Sequence, residues 1–129
     1  MIIRNIEVSQ FRNYGRCTTK LSPEINWIYG ANGQGKTNLV EAVFYLCNLE
    51  SFRTTKPSLL LQEKKSEAVL QAKVERKKVL HLVRVNITKK GRQVFLDHKP
   101  SRRVSEYIFS FMALSFTPEE VNLFRSVPQ

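Results

Sequence analysis

Cysteine is scarce in this chain, and so is acid. Only Cys17 and Cys47 occur in 129 residues. They lie far apart without metal-ligand spacing, which excludes a zinc site built on paired cysteines and fits a reducing cytosol. Long apolar runs are absent, so nothing is expected to span a membrane, and Met1-Ile2-Ile3-Arg4-Asn5 lacks the apolar core of a secretory signal. Repeats and low-complexity tracts are absent too. Eleven acidic residues face 21 lysines and arginines, for a net charge of +10. A surface so short of acid attracts polyanions, nucleic acid first among them. The clusters Lys64-Lys65, Arg76-Lys77-Lys78 and Lys89-Lys90 fit that role, and equally fit solvated turns. A hydrophobic content of 42% supports a core, and the length suits one domain rather than two.

What is present is concentrated in one octet. Gly30-Ala31-Asn32-Gly33-Gln34-Gly35-Lys36-Thr37 matches G-x-x-x-x-G-K-[ST], the phosphate-binding loop. Glycines let the backbone take positive φ and approach a ligand closely. The resulting run of N–H groups cradles phosphate oxygens, and the helix that starts near Lys36 adds its N-terminal donors and dipole. Lys36 supplies a point charge to the β- and γ-phosphates, and the Thr37 hydroxyl is a ligand for magnesium.

The flanks suit the motif. Ile25-Asn26-Trp27-Ile28-Tyr29 alternates and is rich in aromatic and β-branched residues, which predicts a strand. Leu39, Val40, Val43, Phe44, Leu46 and Cys47 recur at helical spacing, which predicts a helix over 36–48 with Cys47 as a buried thiol. Upstream, strands are expected at 2–9, with Ile2, Arg4, Ile6 and Val8 on one face, and at 16–21, joined by a loop at Phe11–Gly15. Downstream, Pro57 starts a short helix through Leu61. Strands at 67–75, 78–88 and 92–97 form an antiparallel meander with turns at Lys89–Arg92 and Asp97–Pro100. A helix is expected at 101–109, a buried strand at 111–116, and a helix start at Thr117-Pro118-Glu119-Glu120, with Val121, Leu123 and Phe124 on that helix.

Hydrolysis of a nucleotide needs a second acid at the end of a buried strand. The nearest match is Asp97 after Val94-Phe95-Leu96, and the turn residues that follow it read as a hairpin end. No catalytic residue is therefore assigned. The parallel strands that normally flank such a loop are also missing and are expected in later sequence. The segment should then expose apolar surface where the remainder docks, and should not turn over ATP alone.

Phe11-Arg12-Asn13-Tyr14, the loop extended by Asn38, Glu41-Ala42, Ser51-Phe52-Arg53-Thr54 and Phe116-Thr117-Pro118-Glu119 together resemble the RecF family of bacterial recombination mediators, in the same order over essentially all 129 residues. The loop alone is shared with the wider SMC and Rad50 class. The resemblance implies an α/β P-loop ABC-type ATPase head. Residues 1–129 would be its first lobe only, the ATP-binding subdomain, with an antiparallel β-meander beside the phosphate-binding loop and flanking helices, and with the second lobe and arm domain absent. The implied cofactors are ATP and Mg2+. The implied nucleotide contacts are Arg12, Asn13, Asn32, Gly33, Gln34, Gly35, Lys36, Thr37, Asn38 and Arg53, with Thr37 on the metal. By the same resemblance Arg12 and Asn13 lie near the base and phosphates, and Arg53 approaches the terminal phosphate. Read without the family, Arg12 fits a solvated loop arginine, and Arg53 fits a contact to DNA phosphate or to water. The implied biology is cytoplasmic: repair of gapped DNA and stalled replication forks, the SOS response, RecO and RecR as partners, an ATP-dependent homodimer, and a weak DNA-stimulated ATPase in the whole protein. The alternative is a P-loop small-molecule kinase or transferase, which the meander and basic hairpins fit poorly.

Overall fold

Six strands form one antiparallel sheet in the order β2-β1-β3-β4-β5-β6 in a computed structural model that describes residues 1–103, 107 and 112–117. The strands are β1 (Ile2–Phe11), β2 (Tyr14–Lys20), β3 (Glu67–Arg76), β4 (Val79–Thr88), β5 (Gly91–Leu96) and β6 (Lys99–Pro100). One α-helix, α1 (Lys36–Asn48), and a 3-10 turn at Pro57–Leu59 complete the described elements. The architecture is mixed α/β.

Alternation builds the core. Ala68, Leu70, Ala72 and Val74 point one way from β3 and are all buried. Register places Ala68 against Ile87, Leu70 against Val85 and Ala72 against Val83 of β4, so cross-strand pairs stack on one face. Each large aliphatic side chain buried there contributes about 1.5–3 kcal/mol. The helix covers this face with Ala42, Tyr45 and Leu46, joined by Leu49 just beyond its end, whereas Val40 is 43% exposed. Cys47 is buried as expected. Tyr107 also enters the core and donates its hydroxyl to the Leu46 carbonyl.

The three expected strands of the meander are present, but its turns are tighter than expected: Gly91 and Arg92 already belong to β5, and Lys99–Pro100 forms β6. Two-residue connections at 77–78, 89–90 and 97–98 join β3 to β6. Lys77 and Lys78 (φ 48° and 65°) and Asp97 and His98 (φ 50° and 67°) have positive φ at both turn positions, the backbone of a type I′ hairpin. Asp97 thus opens a turn, and its carboxylate accepts the Leu82 N–H and pairs with the His81 ring.

Four expectations need correction. In β1 the ladder shifts between Ile3 and Asn5. This bulge turns Ile3 toward the core and frees Arg4 to pair with Glu75, so Arg4 does not share the face of Ile6 and Val8. Residues 25–29 form no strand: they find no ladder partner among the described residues, and Trp27 and Tyr29 are 86% and 90% exposed. Alternation marks a face but supplies no neighbour to pair with. Residues 112–117 are likewise outside any strand, with Met112, Leu114 and Phe116 exposed. The Asn48 amide holds this stretch by bonding both the N–H and the C=O of Ala113, at 3.0 and 2.8 Å. Finally, residues 101–103 are not helical while Tyr107 is; the rest of the expected 101–109 helix, residue 111 and the helix after Thr117 lie outside the described residues. Among the described residues, no helix is long and apolar enough to cross a membrane.

Candidate phosphate-binding site

The loop at 30–35 closes directly onto α1. Gly35 caps the helix at φ 98° and Gly33 stands at φ 79°, conformations that L side chains resist. Gly35 has a second reason to be glycine. A Cβ there would come within 2.6 Å of the Asn13 side chain, which the β1–β2 turn delivers against the loop. The first helical bond runs from the Leu39 N–H to the Gly35 carbonyl, so the preceding amides of the first turn are left for a ligand.

Three side chains brace this helix start. The Tyr14 hydroxyl donates to the Gly35 carbonyl at 2.9 Å. Asn38 donates to Asn13 Oδ1 at 2.8 Å. Lys36 folds back so that Nζ donates to the carbonyls of Gly30 and Ala31. In front of them opens a cleft of about 290 Å³ lined by Asn32, Gly33, Gly35, Lys36, Thr37, Asn38 and Arg53. Among the described residues two cations line it and no carboxylate does, so its chemistry fits a polyanion. A larger hollow of about 490 Å³ beside Asp97 and Arg103 contains none of the phosphate loop.

Behind the cleft lies Glu41, the buried charge of the described core, with no solvent exposure. Arg12 grips it side-on, Nε to Oε2 at 2.9 Å and Nη2 to Oε1 at 2.7 Å. Ser51 Oγ donates to Oε1 at 2.5 Å, and Arg53 Nη1 donates to Oε2 at 3.1 Å. Four donors thereby fill a carboxylate's capacity. Ser51 Oγ also accepts the backbone N–H groups of Arg53 and Thr54, which folds the 51–54 segment around the same carboxylate. Burial pushes the Glu41 carboxyl up, but the hydrogen bonds from Arg12 and Ser51 and the charges of both arginines outweigh it, holding the group below its ordinary value.

The expected site residues therefore divide. Asn32, Gly33, Gly35, Lys36, Thr37, Asn38 and Arg53 line one cleft. Arg12, Asn13 and Gln34 are not part of that lining. Asn13 braces the helix start, with its amide 3.5 Å from the Gln34 carbonyl, and Arg12 is committed to Glu41. Glu41 is not among the site residues expected from the sequence, where it stands only in the Glu41-Ala42 motif. The available signal was its spacing: Glu41 stands one helical turn before Tyr45 on the buried side of α1.

An antiparallel sheet laid over a helix that springs from a phosphate loop is the architecture of an ATPase head of the RecF and SMC kind. The model of the RecF/RecN/SMC N terminal domain matches residues 2–120, and the chain belongs to that family. It is 33% identical over all 129 residues to the DNA replication and repair protein RecF of Oceanobacillus iheyensis, and 32% identical to that of Bacillus subtilis, covering 35% of each. The chain thus spans about a third of the length of the curated relatives it matches. A solved structure of the recombination mediator protein RecF with ATP, of the RecFOR pathway, superposes with a TM-score of 0.84 at 25% identity, over 94% of this chain and 34% of that one. The SMC head domain from Thermotoga maritima shares the fold, with a TM-score of 0.64 at 19% identity over 79% of this chain and 39% of that one.

Proposed function

We propose that this chain is the ATP-binding first lobe of a recombination mediator that acts on gapped DNA and stalled replication forks. The observation that carries the reading is the convergence of Lys36, Thr37 and Arg53 on one cleft at the start of α1 that, among the described residues, no carboxylate lines. Loop and helix amides, Lys36 and Arg53 hold the phosphates, and Thr37 offers its hydroxyl to magnesium. Bound magnesium offsets phosphate charge, which the two cations alone do not balance. The RecF solved with ATP supports ATP as the nucleotide.

Binding, rather than hydrolysis, is the role assigned to this segment, because among the described residues no carboxylate lines the cleft. Trp27 and Tyr29 in one segment, and Leu114 and Phe116 in another, are exposed, and exposed apolar side chains of this kind suit packing against a second lobe. DNA, RecO and RecR are the proposed partners, with an ATP-dependent homodimer and a cytoplasmic location; the +10 net charge supports the DNA assignment. The test is DNA affinity with and without ATP–magnesium, on the protein that carries this segment and on its Lys36→Ala variant. The reading expects ATP to change DNA affinity in the first and not in the second. Equal affinities under all conditions contradict it.

A further inference from the structure

We infer that Glu41, together with Asn38, is the positioning residue that fixes Arg53 in the cleft. This rests on the nucleotide-binding reading and deepens it. Arg53 comes from the irregular 51–56 segment, where a long side chain would otherwise sample many rotamers. Here both protons of its Nη1 are used: one goes to Asn38 Oδ1 at 2.7 Å, the other to Glu41 Oε2 at 3.1 Å. Nε and Nη2 keep no protein partner among the described residues. A guanidinium anchored through one nitrogen, with its remaining donors unspent beside Lys36 and Thr37, is prepared for a phosphate oxygen.

Glu41 suits the task because it is itself immobile. It sits on α1 with no exposure, and Arg12 and Ser51 hold it from two other segments. Arg12 also provides the charge balance: with only one arginine present, the buried carboxylate would draw Arg53 inward as its sole counter-ion. With Arg12 already paired side-on, Arg53 makes a single longer contact and remains 41% exposed at its side chain. Glu41 therefore orients Arg53 without consuming it.

The test is a double-mutant cycle read by calorimetric titration with ATP–magnesium, on the wild-type chain, Glu41→Gln, Arg53→Ala and the double variant. Thermal melts confirm that each is folded at the titration temperature. Each single change is expected to weaken binding about tenfold, the scale of one charge-assisted hydrogen bond. The double variant is expected to bind no more weakly than Arg53→Ala. A purely structural loss at Glu41 would instead weaken binding as much in the Arg53→Ala background as in wild type, and that result overturns the inference. If Glu41→Gln does not fold, the same cycle with Asn38→Ala decides by the same criterion. Lys36→Ala separates the two levels. Loss of binding there with wild-type affinity in Glu41→Gln sinks this inference alone; a wild-type chain that takes up no ATP–magnesium sinks the nucleotide reading and this inference with it.

Discussion

The Asn13 side chain occupies the space that a Cβ on Gly35 would need: its Nδ2 and Oδ1 lie 2.6 and 2.7 Å from that position. The β1–β2 turn and the phosphate loop are thus packed backbone against side chain, with Asn38 tying the two together. Gly35→Ala should suffer twice. The φ of 98° strains any L residue, by about 1–2 kcal/mol, and the methyl group must displace Asn13. Urea denaturation should show a loss of at least that size, with ATP–magnesium affinity falling alongside. An alanine variant as stable as wild type would show that the loop is not held in this conformation.

Glu41 couples stability to pH. Replacing it with glutamine leaves Arg12 without its buried partner and should cost about 3–5 kcal/mol at neutral pH. The carboxyl is held below its ordinary 4.5 in the fold. Its contribution is therefore fully present above that value and is lost as pH falls through the folded value. Melting temperatures of wild type and Glu41→Gln should be far apart at neutral pH and draw together in acid. A gap independent of pH would contradict the buried ion cluster.

The two thiols should behave differently. Burial pushes the Cys47 thiol up to about 11, leaving almost no thiolate at neutral pH, while Cys17 is only half-buried. A chromogenic disulfide reagent should titrate one thiol quickly in the native chain and the second only on unfolding. Two equally fast thiols would mean that the helix does not pack on the sheet as described.

The β3–β4 hairpin carries removable strain. Lys77 and Lys78 both sit at positive φ, where type I′ turns favour Asn-Gly. Lys78→Gly should raise stability by about 0.5–1 kcal/mol, the relief of left-handed strain less the glycine's entropy. Chemical denaturation measures the gain directly, and a loss of stability would count against the two-residue turn.

Much of this was legible in the chain itself, because local patterns decide it. The octet at 30–37, the helix at 36–48 and the three strands of the meander each rest on short-range periodicity and turn chemistry. What escaped depends on partners remote in sequence. The face swap in β1 comes from a one-residue bulge opposite β3, which alternation cannot reveal. Residues 25–29 look like a strand but lack a ladder neighbour among the described residues. Met112, Leu114 and Phe116 look buried but face solvent. Glu41 becomes a site residue only when Arg12, 29 positions upstream, and Arg53, 12 positions downstream, converge on it.

The central claim is that the cleft at the start of α1 holds ATP with magnesium through Lys36. Calorimetric titration of ATP–magnesium into the wild-type chain and into Lys36→Ala tests it most directly. One saturable site in the wild-type chain, abolished by the substitution, is the predicted result. No binding by the wild-type chain, or equal binding by both, would contradict it.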